Sequence, residues 1–366
     1  MTNGIRCWMT PRERLLAAIL GKKTDRPAFS PFLAYYWESL PEAVRATGQL
    51  EYLEAMGADP LLRGHGCAWS VRTPGSEVVE KEHSRKKRRT ISNVKGELTM
   101  EWTYVPNADT WFLTTHPVKT LADLETMRAY FDAMEVVPAR EALNADITSL
   151  GERALALPIL GIEQKSCFQS MIEHWVGTEE LTYLLYDEPE EVEATLWSMQ
   201  RRAFETVEVS AESRAEGFIF WDDTSTTNQS PAFYDRYVAP EVTRWAACLA
   251  SSGKFLVQHA CGHLHDLLPA MARQGIAAVE SISPPPTGNV TVEEALTLLP
   301  PEVALIGGLE PTFLLYEPVE AILEEVDRLL EMNRGRRFVL ANSDSCPPGV
   351  SYDKFIAIVK RVRDFR

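Results

Sequence analysis

Long apolar runs are missing from this chain. No stretch approaches the roughly 20 apolar residues a membrane-spanning helix needs, which excludes a helical membrane protein. The opening residues, Met1 to Met9, lack the apolar core of a secretory signal, so no export signal is expected. Cysteine is sparse and scattered, six in 366 residues, so a disulfide-stapled scaffold is excluded and a reducing cytosol is the expected setting. Positive charge is short: 37 Lys+Arg stand against 52 Asp+Glu, a formal net charge of -15. Such a surface repels nucleic acid and anionic membrane, and neither is an expected partner. A Gly-x-Gly-x-x-Gly phosphate turn is also absent, which counts against a dinucleotide-binding fold.

What is present suits an enzyme-sized core. The chain is 45% apolar and 24% charged without a biased segment, enough for one domain over residues 1–366. Thr10-Pro11-Arg12-Glu13 combines a threonine cap, Pro at the first helical position and Glu at the third, and Gly21 closes that helix. Eight short apolar runs follow, at 28–33, 59–63, 155–161, 217–222, 254–260, 276–281, 303–308 and 336–342. Most are near-continuously apolar, as strands covered on both faces should be. Helical patterns lie between them: Val319, Ile322, Leu323, Val326, Leu329 and Leu330 share one helix face, as do Tyr352, Phe355, Ile356, Val359 and Val362. Strands alternating with helices predict an α/β fold, a (β/α)8 TIM barrel with an N-terminal helix. Residues 76–116 depart from this alternation and read as a β-hairpin insertion after strand 2, turning at Asn93 to Gly96, with helices over 119–150. The basic run Arg85-Lys86-Lys87-Arg88-Arg89 falls there, either a solvated hairpin face or a patch for an acidic partner or a phosphate-bearing cofactor.

In a barrel the chemistry gathers where strands end and the following loops begin. Reactive side chains collect at those places. They are Tyr35, Tyr36, Trp37 and Glu38; Arg63 and His65; Glu163; Asp222 and Asp223; His259 and Cys261; Glu280; Glu310; and Asn342, Asp344 and Cys346. Residues two apart on a strand share a face, so His259 and Cys261 can converge on one ion, with Cys346 reaching in from a loop shaped by Pro347, Pro348 and Gly349. Two thiolates and one imidazole suit Zn2+ and leave a position open for substrate. The plain alternative is two small buried cysteines and a satisfied core histidine. Glu280 and Asp222 are the candidate catalytic acids. Glu280 is either a displaceable fourth ligand, a substrate contact or a backbone-bonded carboxylate. Of Asp222 and Asp223, which could orient substrate or a ligand histidine, at most one points inward. His263 and His265 are expected at the start of a helix, away from the ion, and Cys7, Cys67, Cys167 and Cys248 are read as structural.

Several stretches resemble the uroporphyrinogen decarboxylase superfamily, in its zinc-dependent, corrinoid-linked methyltransferase branch. They are Thr10-Pro-Arg-Glu-Arg-Leu-Leu-Ala-Ala, Asp222-Asp223 with Ser230-Pro231, and His259-Ala-Cys261-Gly262. Pro284-Pro-Pro-Thr-Gly288 with Glu293, Gly307-Gly308 and the Cys346 loop complete them. The resemblance implies zinc held by His259, Cys261 and Cys346. It also implies methyl transfer between a small thiol or methyl ether and a corrinoid (cobalamin). No histidine here has Asp two residues before it, so the Asp-x-His-x-x-Gly corrinoid signature is absent and the corrinoid is expected on a separate protein. The metal-free decarboxylases of the superfamily carry an N-terminal arginine-rich stretch for substrate carboxylates. Here that region reads Phe32-Leu-Ala-Tyr-Tyr-Trp-Glu38, without arginine. A metal-free decarboxylase and a non-catalytic binding subunit are the rival readings.

Overall fold

The computed structural model describes residues 8–106 and 110–365, so Cys7 lies outside the described residues. The fold is α/β, with a parallel central sheet of six strands. Eight parallel-paired strands are β1 (Ala28–Phe29), β2 (Leu61–Arg63), β3 (Leu155–Leu157), β4 (Gly217–Asp222), β5 (Phe255–Ala260), β6 (Ala278–Glu280), β7 (Ala304–Leu309) and β8 (Phe338–Asn342). The six-stranded sheet runs β1-β8-β7-β6-β5-β4, and β2 pairs with β3. Asp59 N–H donates to Phe29 O at 2.8 Å beside β1, and Ile159 bridges Ile219 beside β4, so the β2–β3 pair lies between those two strands. Each strand falls within or beside one of the eight apolar runs. The first is much shorter than its run, because the chain turns into the helix Ala34–Ser39, which carries Tyr35 to Glu38.

Side-chain alternation sorts the core into two layers. Leu61, Leu155, Leu157, Ile219, Val257, Ala278, Ala304, Ile306, Val339 and Ala341 pack together as one buried cluster among the strands. Their neighbours in sequence, such as Phe218, Phe220, Leu256, Val279, Leu305 and Leu340, pack outward with the helices. The helix Pro11–Ile19 adds Leu15 and Ile19 to the inner cluster, and its Thr10 capping box forms as the sequence predicts. Arg14 on this helix reaches Asp59 at 2.5 Å and Asp25 at 2.7 Å, while Arg26 meets Asp59 at 2.8 Å. Because Asp59 also accepts from Phe29 N–H at 3.1 Å, this ion network fixes the start of β1 and β2 at the end of the sheet opposite the candidate site.

The strands Glu77–His83, Lys86–Asn93, Gly96–Val105 and Thr110–Thr115 form a four-stranded antiparallel meander. Asn93 shapes its central turn by accepting from Lys95 N–H at 2.8 Å. Ile91, Leu98 and Met100 are buried with Leu124, Met127 and Phe131 of the helix Leu121–Ala133. The basic run lies on this meander and meets its own acids: Lys87 and Arg89 approach Glu80 at 3.7 Å, and Arg88 pairs with Glu101. The 119–150 segment is not wholly helical. Val136 and Val137, β-branched residues before Pro138, place a short strand, Glu135–Pro138, antiparallel to Trp69–Arg72.

One buried acid gives the fold a pH dependence. Glu241 of the helix Ala239–Ser251 accepts from Cys167 N–H at 2.9 Å, and burial pushes its carboxyl up to about 7. Its folded pKa is therefore above the ordinary 4.5. The stability it contributes is full below the unfolded value and is lost as pH rises through about 7. We expect Glu241→Gln to gain on the order of 2 kcal/mol relative to wild type between pH 5 and pH 8. Urea denaturation at both pH values measures this, and an unchanged difference would refute it.

Candidate metal centre

The inner-face parity that fills the core also builds the site. Counting by twos from inward residues, Leu61 leads to Arg63, Ile219 to Trp221, Val257 to His259 and Ala278 to Glu280, all at the C-terminal ends of their strands. In register, Trp221 lies opposite His259, and His259 opposite Glu280. His259 is 4% exposed, and its Nδ1 lies 3.1 Å from Glu280 Oε2 and 3.1 Å from Ser281 Oγ. Glu280 is buried against the Arg63 guanidinium, whose Nε meets its Oε1. Burial opposes the charge on Glu280, but Arg63 and His259 outweigh it and hold the carboxyl below its ordinary range. An ionised carboxylate only accepts, so Nδ1 is the ring nitrogen of His259 that donates to Glu280. Ser281, at φ +74°, adopts a left-handed conformation that sets its hydroxyl beside the same ring nitrogen.

Cys261 follows β5 by one residue. The chain turns sharply behind it at Gly262 (φ +104°), where a side chain would come within 2.9 Å of Ser225 Cβ. The Cys261 thiol donates to Asp223 Oδ1 at 3.2 Å. Burial, then the charges of Asp223 and Asp344, push this thiol well above the ordinary range. Ligand atoms of Asp223, His259 and Cys261 all lie within 4.8 Å of one another. Lys165 Nζ stands 3.8 Å from Asp223 Oδ2, 2.8 Å from Glu173 Oε2 and 3.0 Å from Trp221 O.

The structure thus joins His259 and Cys261 but does not add Cys346 to them. Cys346 is fully buried, its Sγ directed to Pro347 O at 3.7 Å, and its backbone is tied to Phe32 O and Tyr36 N, each at 2.8 Å. Burial alone pushes its thiol up to about 12. Asp222 is likewise turned away. Its two oxygens accept from Ser166 N–H at 3.0 Å and Ser166 Oγ–H at 2.9 Å, and burial pushes it up to about 7. Its neighbour Asp223 is the acid at the site, and counting by twos from Ile219 is the signal that finds it. Glu280 acts on His259 rather than bonding backbone. His263 and His265 are exposed and lie in the turn before the short helix Leu268–Met271, and His265 pairs with Asp266 at 2.8 Å. Lys165 and the electrostatic role of Asp344 went unnoticed in the sequence, since neither stands in a recognisable spacing.

Aromatic rings wall one side. Phe32 stacks on Trp221 at 5.5 Å, and both meet the His259 ring edge-on, at 5.7 and 4.9 Å. A cleft of about 510 Å³ opens beside them, lined by Phe32, Trp37, Glu38, Leu53, Arg63 and Trp221. A second, of about 370 Å³, is lined by Glu163, Lys165, His174 and again Trp221.

Arg63 is the counter-charge for a carboxylate that is 1% exposed. Arg63→Met is expected to cost about 3–5 kcal/mol of folding stability, because it strands the Glu280 charge. Adding Glu280→Gln should recover much of that loss. Urea denaturation of the two variants measures the coupling, and additive losses would refute it.

Comparison with known proteins places the fold. A uroporphyrinogen decarboxylase from Geobacter sulfurreducens is 23% identical over 230 residues, 60% of this chain and 63% of that protein, so the chain spans just under two thirds of that relative. Among solved structures, a methyltransferase from Methanosarcina mazei has the same fold, with a TM-score of 0.63 at 15% identity, covering 97% of this chain and 99% of that one. A B12-independent methionine synthase from Shewanella sp. W3-18-1 overlaps with a TM-score of 0.42 at 12% identity, over 92% of this chain and 96% of that one. Residues 114–365, well over half of the sequence and including every strand from β3 to β8, match the uroporphyrinogen decarboxylase (URO-D) family, and the chain belongs to it.

Proposed function

We propose that this chain is a zinc-dependent methyltransferase, moving a methyl group between a small thiol or methyl ether and a corrinoid carried by a separate protein. In this reading residues 1–366 make one (β/α)8 barrel, closed by the β2–β3 pair between β1 and β4, with residues 76–116 as an insertion, and it works in the cytosol. The observation that carries the proposal is the convergence of imidazole, thiol and carboxylate donors within 4.8 Å at the C-terminal strand ends. That donor set fits zinc, whose bonds to such atoms run about 2.0–2.3 Å. His259, Cys261 and Asp223 would hold it. Bound zinc lowers the pKa of a substrate thiol or alcohol and keeps it as an anion without an isolated buried charge.

The chain's own residues prepare that site. Glu280, anchored by Arg63, fixes the tautomer and direction of His259, a support on which metal affinity commonly depends 10- to 100-fold. Lys165 balances part of the charge on Asp223 at 3.8 Å. Phe32 and Trp221 keep water from one side and give an apolar wall for the methyl-bearing group. The decarboxylase alternative needs free arginines for a polycarboxylate substrate. Here Arg63 is held by Glu280, and the mouth carries Asp223, Asp344, Glu38 and Glu163, which repel such a substrate.

Purified protein is expected to hold about one zinc per chain, lost in Cys261→Ser and in His259→Ala with the circular dichroism of the fold unchanged. Demethylation of methylcobalamin in the presence of a thiol, or its formation from a methyl ether and reduced cobalamin, should fall at least about 100-fold in the same variants. A wild-type chain that binds no zinc at neutral pH refutes the proposal.

A further inference from the structure

β1 spans two residues, and β2 beside it pairs with β3 instead; among the described residues no ladder joins β1 to β2. Side chains tie the two together. Ser30 Oγ accepts from Leu61 N–H at 3.0 Å, and Arg63 Nη2 donates to Ser30 O at 3.2 Å. The cleft of about 510 Å³ takes its lining from the segment after β1, from Leu61 and Arg63 of β2, and from the helix Gln49–Met56. Its walls are aromatic: Phe32 stacks on Trp221 at 5.5 Å, and Trp37 is held edge-on against Tyr52 at 5.5 Å. A space of this size encloses ligands well beyond a few atoms, so a small thiol would leave most of it unfilled.

The two charged residues of the lining are not arranged to hold an anion. Arg63 gives Nε to Glu280, Nη1 to Leu61 O at 3.3 Å and Nη2 to Ser30 O, and its flat face lies 5.3 Å over the Phe32 ring. Glu38 stands at the exposed rim, 3.2 Å from Arg45. An entering anion therefore meets a carboxylate and no uncommitted cation. Phe32 and Trp221 also meet the His259 ring edge-on, at 5.7 and 4.9 Å. Building on the methyltransferase reading above, we propose that this cleft binds the methyl-bearing substrate and selects an uncharged aromatic ring carrying a methoxy group over small anionic thiols. The ring lies on the Phe32–Trp221 wall, one side chain away from His259, with its methoxy edge towards the donor cluster. In the transfer the O–CH3 bond breaks with its electron pair left on the phenolic oxygen. The methyl joins the reduced corrinoid, whose own pair makes the new bond as cobalt passes formally from Co(I) to Co(III).

Calorimetry tests this on the chain as purified and again after chelation, which removes any contribution from a thiol binding the metal. The probes are guaiacol, an uncharged methoxyphenol; vanillate, the same ring with a carboxylate; and mercaptoacetate. The chelated chain should bind guaiacol at least about 10-fold more tightly than either anion. Trp37→Ala should weaken guaiacol at least about 5-fold with zinc content unchanged. Trp37→Phe guards against a folding loss and should stay within about 2-fold. Glu38→Gln should improve vanillate about 3-fold at low ionic strength and leave guaiacol unmoved. Either anion binding as tightly as guaiacol, or Trp37→Ala without effect on guaiacol, overturns the assignment. A chain that holds zinc but no guaiacol overturns it while leaving the metal reading standing; one that selects guaiacol but holds no zinc keeps the cleft and loses the methyltransferase.

Discussion

The Glu280 charge, buried between Arg63 and His259, is the constraint on which the rest of the site depends. A carboxylate sealed from water is unfavourable unless both of its oxygens find cationic or hydrogen-bonding partners. Here β2 supplies one partner and β5 the other, so three strands brought together only by folding are coupled through a single side chain. The coupling also has a direction. Because Glu280 stays ionised, Nδ1 of His259 is the nitrogen that donates to it, and the same imidazole has a ring nitrogen within 4.8 Å of the Cys261 and Asp223 ligand atoms. The orientation of His259 is thus set by residues outside the donor cluster it joins.

The same alternation that made this possible explains which parts were legible beforehand. The strands could be read because each apolar run is covered on both faces, and the His259-x-Cys261 spacing because a period of two keeps both on the inner side. Asp222 and Asp223 show how far that logic extends. The choice between them needed only the parity of Ile219 and Trp221, yet a pair of adjacent acids drew attention to its first member. Asp222 is held by Ser166, a partner 56 residues away that no local pattern announces. Arg63 stood among the strand-end residues, but its pairing with Glu280 crosses 217 residues and depends on the neighbourhood of β2 and β6 in space.

Cys346 was harder for a different reason. Sequence spacing says that a loop follows β8, but not which of its side chains faces the mouth. That depends on Asn342, which binds Phe32 through both ends of its amide and so fixes the loop's path. Once that path is fixed, the small apolar thiol is accommodated in the core among tyrosines and the carboxylate is left at the polar end. The burial of Cys346 accords with free cysteine being among the most readily buried side chains.

The electrostatics of the mouth follow from this arrangement. Asp223 and Asp344 both act on Cys261, and together with burial they keep its thiol protonated, donating to Asp223. Lys165 answers this charge only in part, since it also serves Glu173. Arg63 answers none of it, being committed to Glu280. A dication placed among these donors would reverse the balance: each carboxylate that now raises the thiol's affinity for its proton would become a ligand or a near neighbour of positive charge. A proton on Cys261 and a dication would therefore compete for one position, and the acids around it would make either occupant more favourable than an empty, fully ionised centre.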